Sequence, residues 1–258
     1  MTRRILLQSN TAAATVDLDA GGRLSSLSVG GVELLVAEGR SPLHWGCYPM
    51  APWANRVRHG EFTFEDQAYR LPVTFDGHAI HGTVLDAPWE EDGPWITRAL
   101  GPDWPFPGFA RQRFSITEDG LSMRLEVHSE EGPMPASCGW HPWFTTTIDD
   151  AELSFRFEAD YMFEQSEDGI PTGARVPVPP GPWDNCFGGL GAAPVLEWGA
   201  AVRLTIESSC PCLVVYNREP QGHCIEPQTA PPNALNMEPA IVLPGEPLVA
   251  TTSWTWEV

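Results

Sequence analysis

Apolar and polar residues alternate with a period of two along most of this chain. In residues 110–130 (ARQRFSITEDGLSMRLEVHSE), Phe114 and Ile116 alternate with polar neighbours up to a turn at Glu118-Asp119-Gly120. Beyond that turn Leu121, Met123, Leu125 and Val127 share one face, with Ser122, Arg124, Glu126 and His128 on the other. This pattern predicts a hairpin with one buried face. The same period recurs at Leu153, Phe155 and Phe157, at Val202, Leu204 and Ile206, and at Trp254, Trp256 and Val258. Residues 17–35 (DLDAGGRLSSLSVGGVELL) place two Gly-Gly turns between short strands, and 61–72 (EFTFEDQAYRLP) read as another hairpin. Helical periodicity is nearly absent, and 26 Pro and 24 Gly are spread throughout. The prediction is an all-β fold, a large antiparallel sandwich or barrel. No repeat or low-complexity linker divides it. The Pro-rich stretch 171–184 reads as a long loop stiffened by proline, with similar strand patterns on both sides, so residues 1–258 are expected to form a single domain.

Four segments depart from the strand rhythm: CYPMAPWANRVRHG (47–60), GHAIHGTVLDAPW (77–89), CGWHPWF (138–144) and CIEPQTAPPNALN (224–236). A fifth, GPWDNCFGG (181–189), sets an acid beside a Trp. Each taken alone reads as a Pro-rich connection. Together they supply an Arg, two His, an Asp and a Glu among aromatic and amide neighbours, the composition of loops that carry chemistry on a rigid β scaffold. His141 and Glu226 each directly precede a proline. Proline disfavours the helical region at the preceding residue, which narrows the directions open to both side chains. Trp140 and Trp143 flank His141 as candidate apolar walls, suited to the C–H faces of a sugar ring.

Charge and cysteine content narrow the class. The formal net charge is −19, and all 15 basic residues are Arg. A field of that sign repels phosphate backbones and anionic lipid surfaces, so neither nucleic acid nor membrane is an expected partner. The N-terminal MTRRILLQSN is too short for a secretory apolar region, no run approaches the length of a membrane span, and six scattered Cys read as reduced thiols. A soluble cytoplasmic protein is expected. His78 and His81 form H-x-x-H without helical pattern or a second ligand cluster, so no metal site is expected. No G-x-S-x-G or G-x-G-x-x-G is present.

The five segments resemble, in order and rough spacing, the blocks of the aldose 1-epimerase (mutarotase) family, from about residue 15 to the end. YPMAPWANRVRHGEFTF is similar to its Pro-x-x-x-Asn-Arg element and the following Gly-x-Phe strand, HAIHG to its His-Gly block and CGWHPWF to its Gly-x-His-Pro-aromatic-Phe block. WDNCF is similar to its acidic sugar-binding block, and CIEPQTAPPNALN to its Glu-Pro-Gln region. The resemblance implies a large β-sandwich of the galactose-mutarotase type, needing no cofactor. It implies Glu226 as general base and His141 as general acid. It also implies Asn55, Arg56, His81, Asp184, Gln228 and Trp143 as contacts of a small sugar substrate. Better-known members carry Thr-Asn where this chain has Gly139-Trp140, and often Asp where it has Asn233; these departures bear on the choice of sugar. Ring opening of an aldose needs one base at the anomeric hydroxyl and one acid at the ring oxygen. His141 is then expected to carry its proton near neutral pH, favoured by a nearby carboxylate. A non-catalytic sugar-binding module would lack the acid or the base, and both are present. A glycosidase would need two carboxylates flanking the bond, for which Asp184 and Glu226 are available. A hexose phosphate would need clustered Arg; Arg58, on the same strand face as Arg56, is the only close spare.

Overall fold

A computed structural model describes residues 2–258. Nearly all regular structure is β-strand; two 3-10 turns, Arg58–Gly60 and Ala234–Asn236, are the only helical elements among the described residues. Among the described residues no helix is long and apolar enough to cross a membrane. Two large antiparallel sheets dominate. The first runs Arg4–Gln8, Ala12–Asp17, Arg23–Val29, Cys47–Met50, Gly139–Phe144, His223–Gln228, Cys212–Tyr216, Asp184–Leu190, Ala159–Gln165, Pro171–Val176, with Val32–Glu33 paired to Arg23–Val29. The second runs Glu90–Asp92, Trp95–Ala99, Gly108–Ile116, Gly120–Ser129, Leu248–Glu257, Val202–Ser208, Val195–Trp198, Ala151–Arg156, Thr147–Ile148.

The alternation in the sequence is the alternation of faces in these strands. Leu121, Met123, Leu125 and Val127 point into the core, joined by Val202, Leu204 and Ile206 and by Trp254 and Trp256. Phe144 of the first sheet meets Trp254 of the second with ring centroids 5.2 Å apart, which fixes the sandwich at its middle. Both Gly-Gly turns and the hairpin of Glu61–Phe64 with Gln67–Arg70 form where expected. Val258, expected to end the apolar face, is exposed, because Leu248–Glu257 ends one residue before it. Glu126, on the predicted polar face, is buried; Arg111, Arg124 and His128 all bond its carboxylate, and together they hold its pKa down to about 2 against the opposing effect of burial.

The segments that broke the rhythm are not loops alone: each contributes strand residues. Gly139–Phe144 and His223–Gln228 lie side by side at the centre of the first sheet, and Gly139–Phe144 is buried at every position. A strand covered on both faces has no reason to alternate apolar with polar. Likewise, Pro171–Val176 is an edge strand paired with Ala159–Gln165 rather than loop, and proline is tolerated there because an edge leaves one row of backbone groups unpaired.

Candidate active site

One register builds the centre of the site. Gly139 pairs with Gln228 and Trp143 with Cys224, so His141 falls opposite Glu226. Tyr48 pairs with His141 on the other side, and Val214 with Glu226. Tyr48, His141, Glu226 and Val214 thus form a row across four strands, all on the sheet face away from the sandwich core. The opposite face of the same strands carries Cys47, Trp140, Phe144, Ile225 and Val215 into that core. The two tryptophans of CGWHPWF therefore part company. Trp143 lies beside His141, while Trp140, expected as a second wall, belongs to the core, since adjacent strand residues point to opposite faces.

His141 is held between two rings, Tyr48 at 4.7 Å and Trp143 at 5.6 Å between centroids, both close to parallel. Trp143 is fixed by its indole N–H, which donates to the Leu43 carbonyl at 2.8 Å. Nε2 of His141 lies 3.2 Å from Oε1 of Glu226. The other carboxylate oxygen, Oε2, accepts a 2.9 Å hydrogen bond from the Gln228 side-chain amide, two residues along on the same face. Gln228 is fully buried and does not reach the cleft; it grips Glu226 from behind. Gly139 makes room for that grip. A Cβ there would sit 2.3 Å from the Pro227 carbonyl oxygen and 3.2 Å from the Gln228 side chain.

A cleft of about 320 Å³ opens above this row. Glu226, His141, Asn55, Arg56, His81, Asp184 and Trp143 all line it, together with Tyr48, Phe75, Ile80 and Tyr216. Arg56 and Asp184 approach to 3.7 Å across the mouth. Asn55 and His81 stand in the left-handed region at φ 60 and 59, and the His81 N–H donates to the Asn55 carbonyl at 3.0 Å. Non-glycine residues held there carry strain that the surrounding structure must offset, and such residues cluster where side chains are positioned for function. Asn233, also left-handed, accepts from the Arg58 N–H through Oδ1, and its own N–H donates to the Arg56 carbonyl. It thereby clamps the backbone on which Arg56 is mounted.

Arg56 and Arg58 do not share a face as the strand reading required. The strand stops at Val57, and Arg58 turns away to bond Ser166 at 2.9 Å and Asp168 at 3.0 Å. His78 and His81 also separate. His78 is buried outside the cleft, its Nδ1 accepting from the His59 N–H and its Nε2 facing the Asp168 carbonyl. Tyr48, Phe75, Ile80 and Tyr216 were not anticipated as cleft residues. For Tyr48 a signal existed, since CYPM immediately precedes the Asn-Arg element; Phe75 and Tyr216 reach the cleft only through tertiary folding.

Burial sets the electrostatics. It drives His141 down to about 3, and drives Glu226 well above the usual carboxylate range, with Asp184 adding to the rise. The Gln228 amide and Arg56 pull Glu226 partly back. His81 is pushed well down by burial, with His141 and Arg56 adding to it. Desolvation thus works against both the expected protonated imidazole and the expected ionised carboxylate. Both shifts favour a pair that carries a single proton. Chemically, this is an acid and a base in contact, walled by rings and rimmed by amide, guanidinium and carboxylate groups.

The aldose 1-epimerase family model matches residues 3–255. Among curated proteins, the uncharacterized protein YphB of Escherichia coli (strain K12) is 24% identical over 72% of this chain and 74% of its own length. Among solved structures, a galactose mutarotase-like protein from Clostridium acetobutylicum superposes with TM-score 0.85 at 18% identity, covering 99% of this chain and 95% of that one. Galactose 1-epimerase from Lactobacillus acidophilus NCFM gives 0.81 at 20%, over 98% and 94%. These structures share its fold.

The strained loop over the floor makes a specific demand at Gly82. Its φ is +82, and a Cβ would lie 1.9 Å from the Ala51 carbonyl oxygen, the point where the His81 loop docks on the sheet. Gly82→Ala is expected to lower the unfolding free energy by more than about 1 kcal/mol, as read by urea denaturation. Wild-type stability in that variant would show that the loop is not seated there.

Proposed function

Because this chain belongs to the aldose 1-epimerase family, we propose that it interconverts the α and β anomers of a free, uncharged aldose by opening and reclosing the ring. The contact between His141 Nε2 and Glu226 Oε1 at the cleft floor is the observation that carries this reading. The anomeric hydroxyl oxygen and the ring oxygen are both bonded to C1, so the acid and base that serve them must lie close together. With the pair's single proton passed to His141 Nε2 across the 3.2 Å contact, Glu226 takes the proton of the anomeric hydroxyl, and the electrons of that O–H bond form the C1 carbonyl. The C1–O5 bond breaks, its electrons pass to the ring oxygen, and that oxygen takes a proton from His141. Rotation about C1–C2 and the reverse proton transfers close the ring on the other carbonyl face. Negative charge develops on the ring oxygen only as the proton arrives.

Gln228 supports the basic form of Glu226 by donating to the oxygen that the sugar does not use. Tyr48 and Trp143 keep the imidazole in plane, and Trp143 and Phe75 offer faces to the C–H side of the ring. Asn55, Arg56, His81 and Asp184 are placed to bond the remaining hydroxyls. Glu226→Gln and His141→Gln are each expected to cut kcat by roughly 10²–10⁴, with unchanged thermal stability. Polarimetry of freshly dissolved α-D-glucose and α-D-galactose, corrected for the spontaneous rate, measures this. A near-wild-type rate in either variant removes that residue from the reaction.

The pH dependence follows from the shared proton. The pair works while it holds one proton. A second proton binds only as pH falls toward the depressed value of His141, about 3. The single proton is lost only as pH rises through the raised value of Glu226. The kcat/KM profile is therefore expected to be flat across pH 6.5, where an ordinary histidine titrates. A break of one proton at that pH, measured in free enzyme, contradicts the assignment.

Charge favours a neutral sugar. The cleft holds two Arg, Arg40 and Arg56, against four carboxylates, Asp76, Asp184, Glu219 and Glu226. Both Arg already face acids, Arg40 at 3.0 Å from Glu219 and Arg56 at 3.7 Å from Asp184. A phosphate dianion would find no free guanidinium pair to bind it. Glucose or galactose is expected to show the higher kcat/KM against glucose 6-phosphate at moderate salt. A preference of about tenfold or more for the phosphate ester overturns the neutral reading.

A further inference from the structure

One buried side chain beside the acid–base pair has no part in the proton transfers above. Cys224 stands two residues before Glu226 on the same strand face, fully buried, with Trp143 as its cross-strand partner. Its sulfur, one ring nitrogen of His141 and one carboxylate oxygen of Glu226 all lie within 4.8 Å of one another. The nitrogen–oxygen separation of 3.2 Å is already that of two neighbouring ligands around a tetrahedral ion, given metal–ligand bonds of about 2.0–2.2 Å. The sulfur needs to close by about an ångström, within reach of side-chain rotation for bonds of about 2.3 Å.

We propose that His141, Cys224 and Glu226 form a binding site for Zn²⁺ or a similarly thiophilic divalent cation, which occupies the acid–base pair and excludes the sugar. The inhibition rests on the mutarotase reading; the binding does not. Thiolate, imidazole and carboxylate are all zinc ligands, and a three-residue set leaves the fourth tetrahedral position facing the cleft for water. Charge balances. On binding, the thiol proton and the proton shared by His141 and Glu226 are released, and the dication meets one thiolate and one carboxylate to give a neutral buried unit. The carboxylates that line the cleft beside the site, Asp184 and Glu219, attract a cation. Mg²⁺ lacks the oxygen cage it requires here and is the natural control.

The test is calorimetric titration of the whole protein with Zn²⁺, alongside a polarimetric glucose assay in the presence of Zn²⁺ or Mg²⁺. Wild type is expected to bind about one Zn²⁺ with release of about two protons, seen as a dependence of the heat on buffer ionisation. Zinc is expected to raise the apparent KM for glucose, and Mg²⁺ to leave it unchanged. Cys224→Ser is expected to keep the metal-free mutarotation rate and to weaken zinc binding at least about tenfold. Co²⁺ added to wild type should give a sulfur-to-cobalt charge-transfer band that Cys224→Ser lacks, which reports thiolate ligation even if the variant is unstable. Equal zinc affinity in the two proteins, or no such band in wild type, overturns the site. If wild type fails to mutarotate any aldose, the mutarotase reading falls while the titration and the cobalt band still decide this one.

Discussion

The site depends on a single register between two central strands. With Gly139 opposite Gln228 and Trp143 opposite Cys224, His141 has one possible partner on the strand His223–Gln228, and that partner is Glu226. Slipping the pairing by one residue would send Glu226 into the sandwich core and bring Ile225 to the cleft. Such a slip would also place a buried carboxylate among Trp140, Phe144 and Val215, at a desolvation cost no apolar contact repays. The packing that makes the sandwich and the geometry that makes the site are thus the same constraint, applied to opposite faces of the same residues.

A fully buried floor has a chemical consequence. Water would let His141 and Glu226 ionise independently; here burial penalises both charges, so the pair behaves as one unit carrying one proton. That suits a reaction in which a proton leaves one oxygen of C1 and another arrives at the second oxygen, with no net change. Asp184 raises Glu226 while Gln228 and Arg56 lower it, so the neighbours set the position of the proton rather than its number. The thiol of Cys224 lies in the same unsolvated layer, which is why a metal that carries its own charge would compete so directly with the pair.

Much of this was legible in the sequence, and what was missed has a common cause. Period-two faces such as Leu121–Val127 read correctly because one side meets water. CGWHPWF and CIEPQ were read as loops because both of their faces are buried, so composition followed the site rather than the pleat. Trp140 was misplaced by that same error, since a strand assignment would have turned it to the core. Gln228 was expected at the sugar and stands behind Glu226, two residues away on one face, a relation that only the strand reveals. Arg58 was paired with Arg56 on a strand that ends at Val57. Phe75 and Tyr216, which lie outside the five segments, carried no local signal.

The cleft rim is made differently from the floor. The floor uses extended backbone that any residue can adopt, and its precision comes from cross-strand pairing. Asn55, His81 and Asn233 instead hold left-handed conformations, each tied by a backbone hydrogen bond, His81 to Asn55 and Asn233 to Arg56. Strain of this kind persists only where something rigid over-determines it. Here the sheet supplies that rigidity: Gly82 and Thr83 dock on Ala51, one residue beyond the strand that carries Tyr48. His141 and Glu226 therefore sit on paired central strands, while Asn55 and His81 sit on loops braced against them. Under the proposed function, substitutions at Asn55 and His81 act on the choice of sugar, whereas substitutions at His141 and Glu226 act on the proton transfer itself.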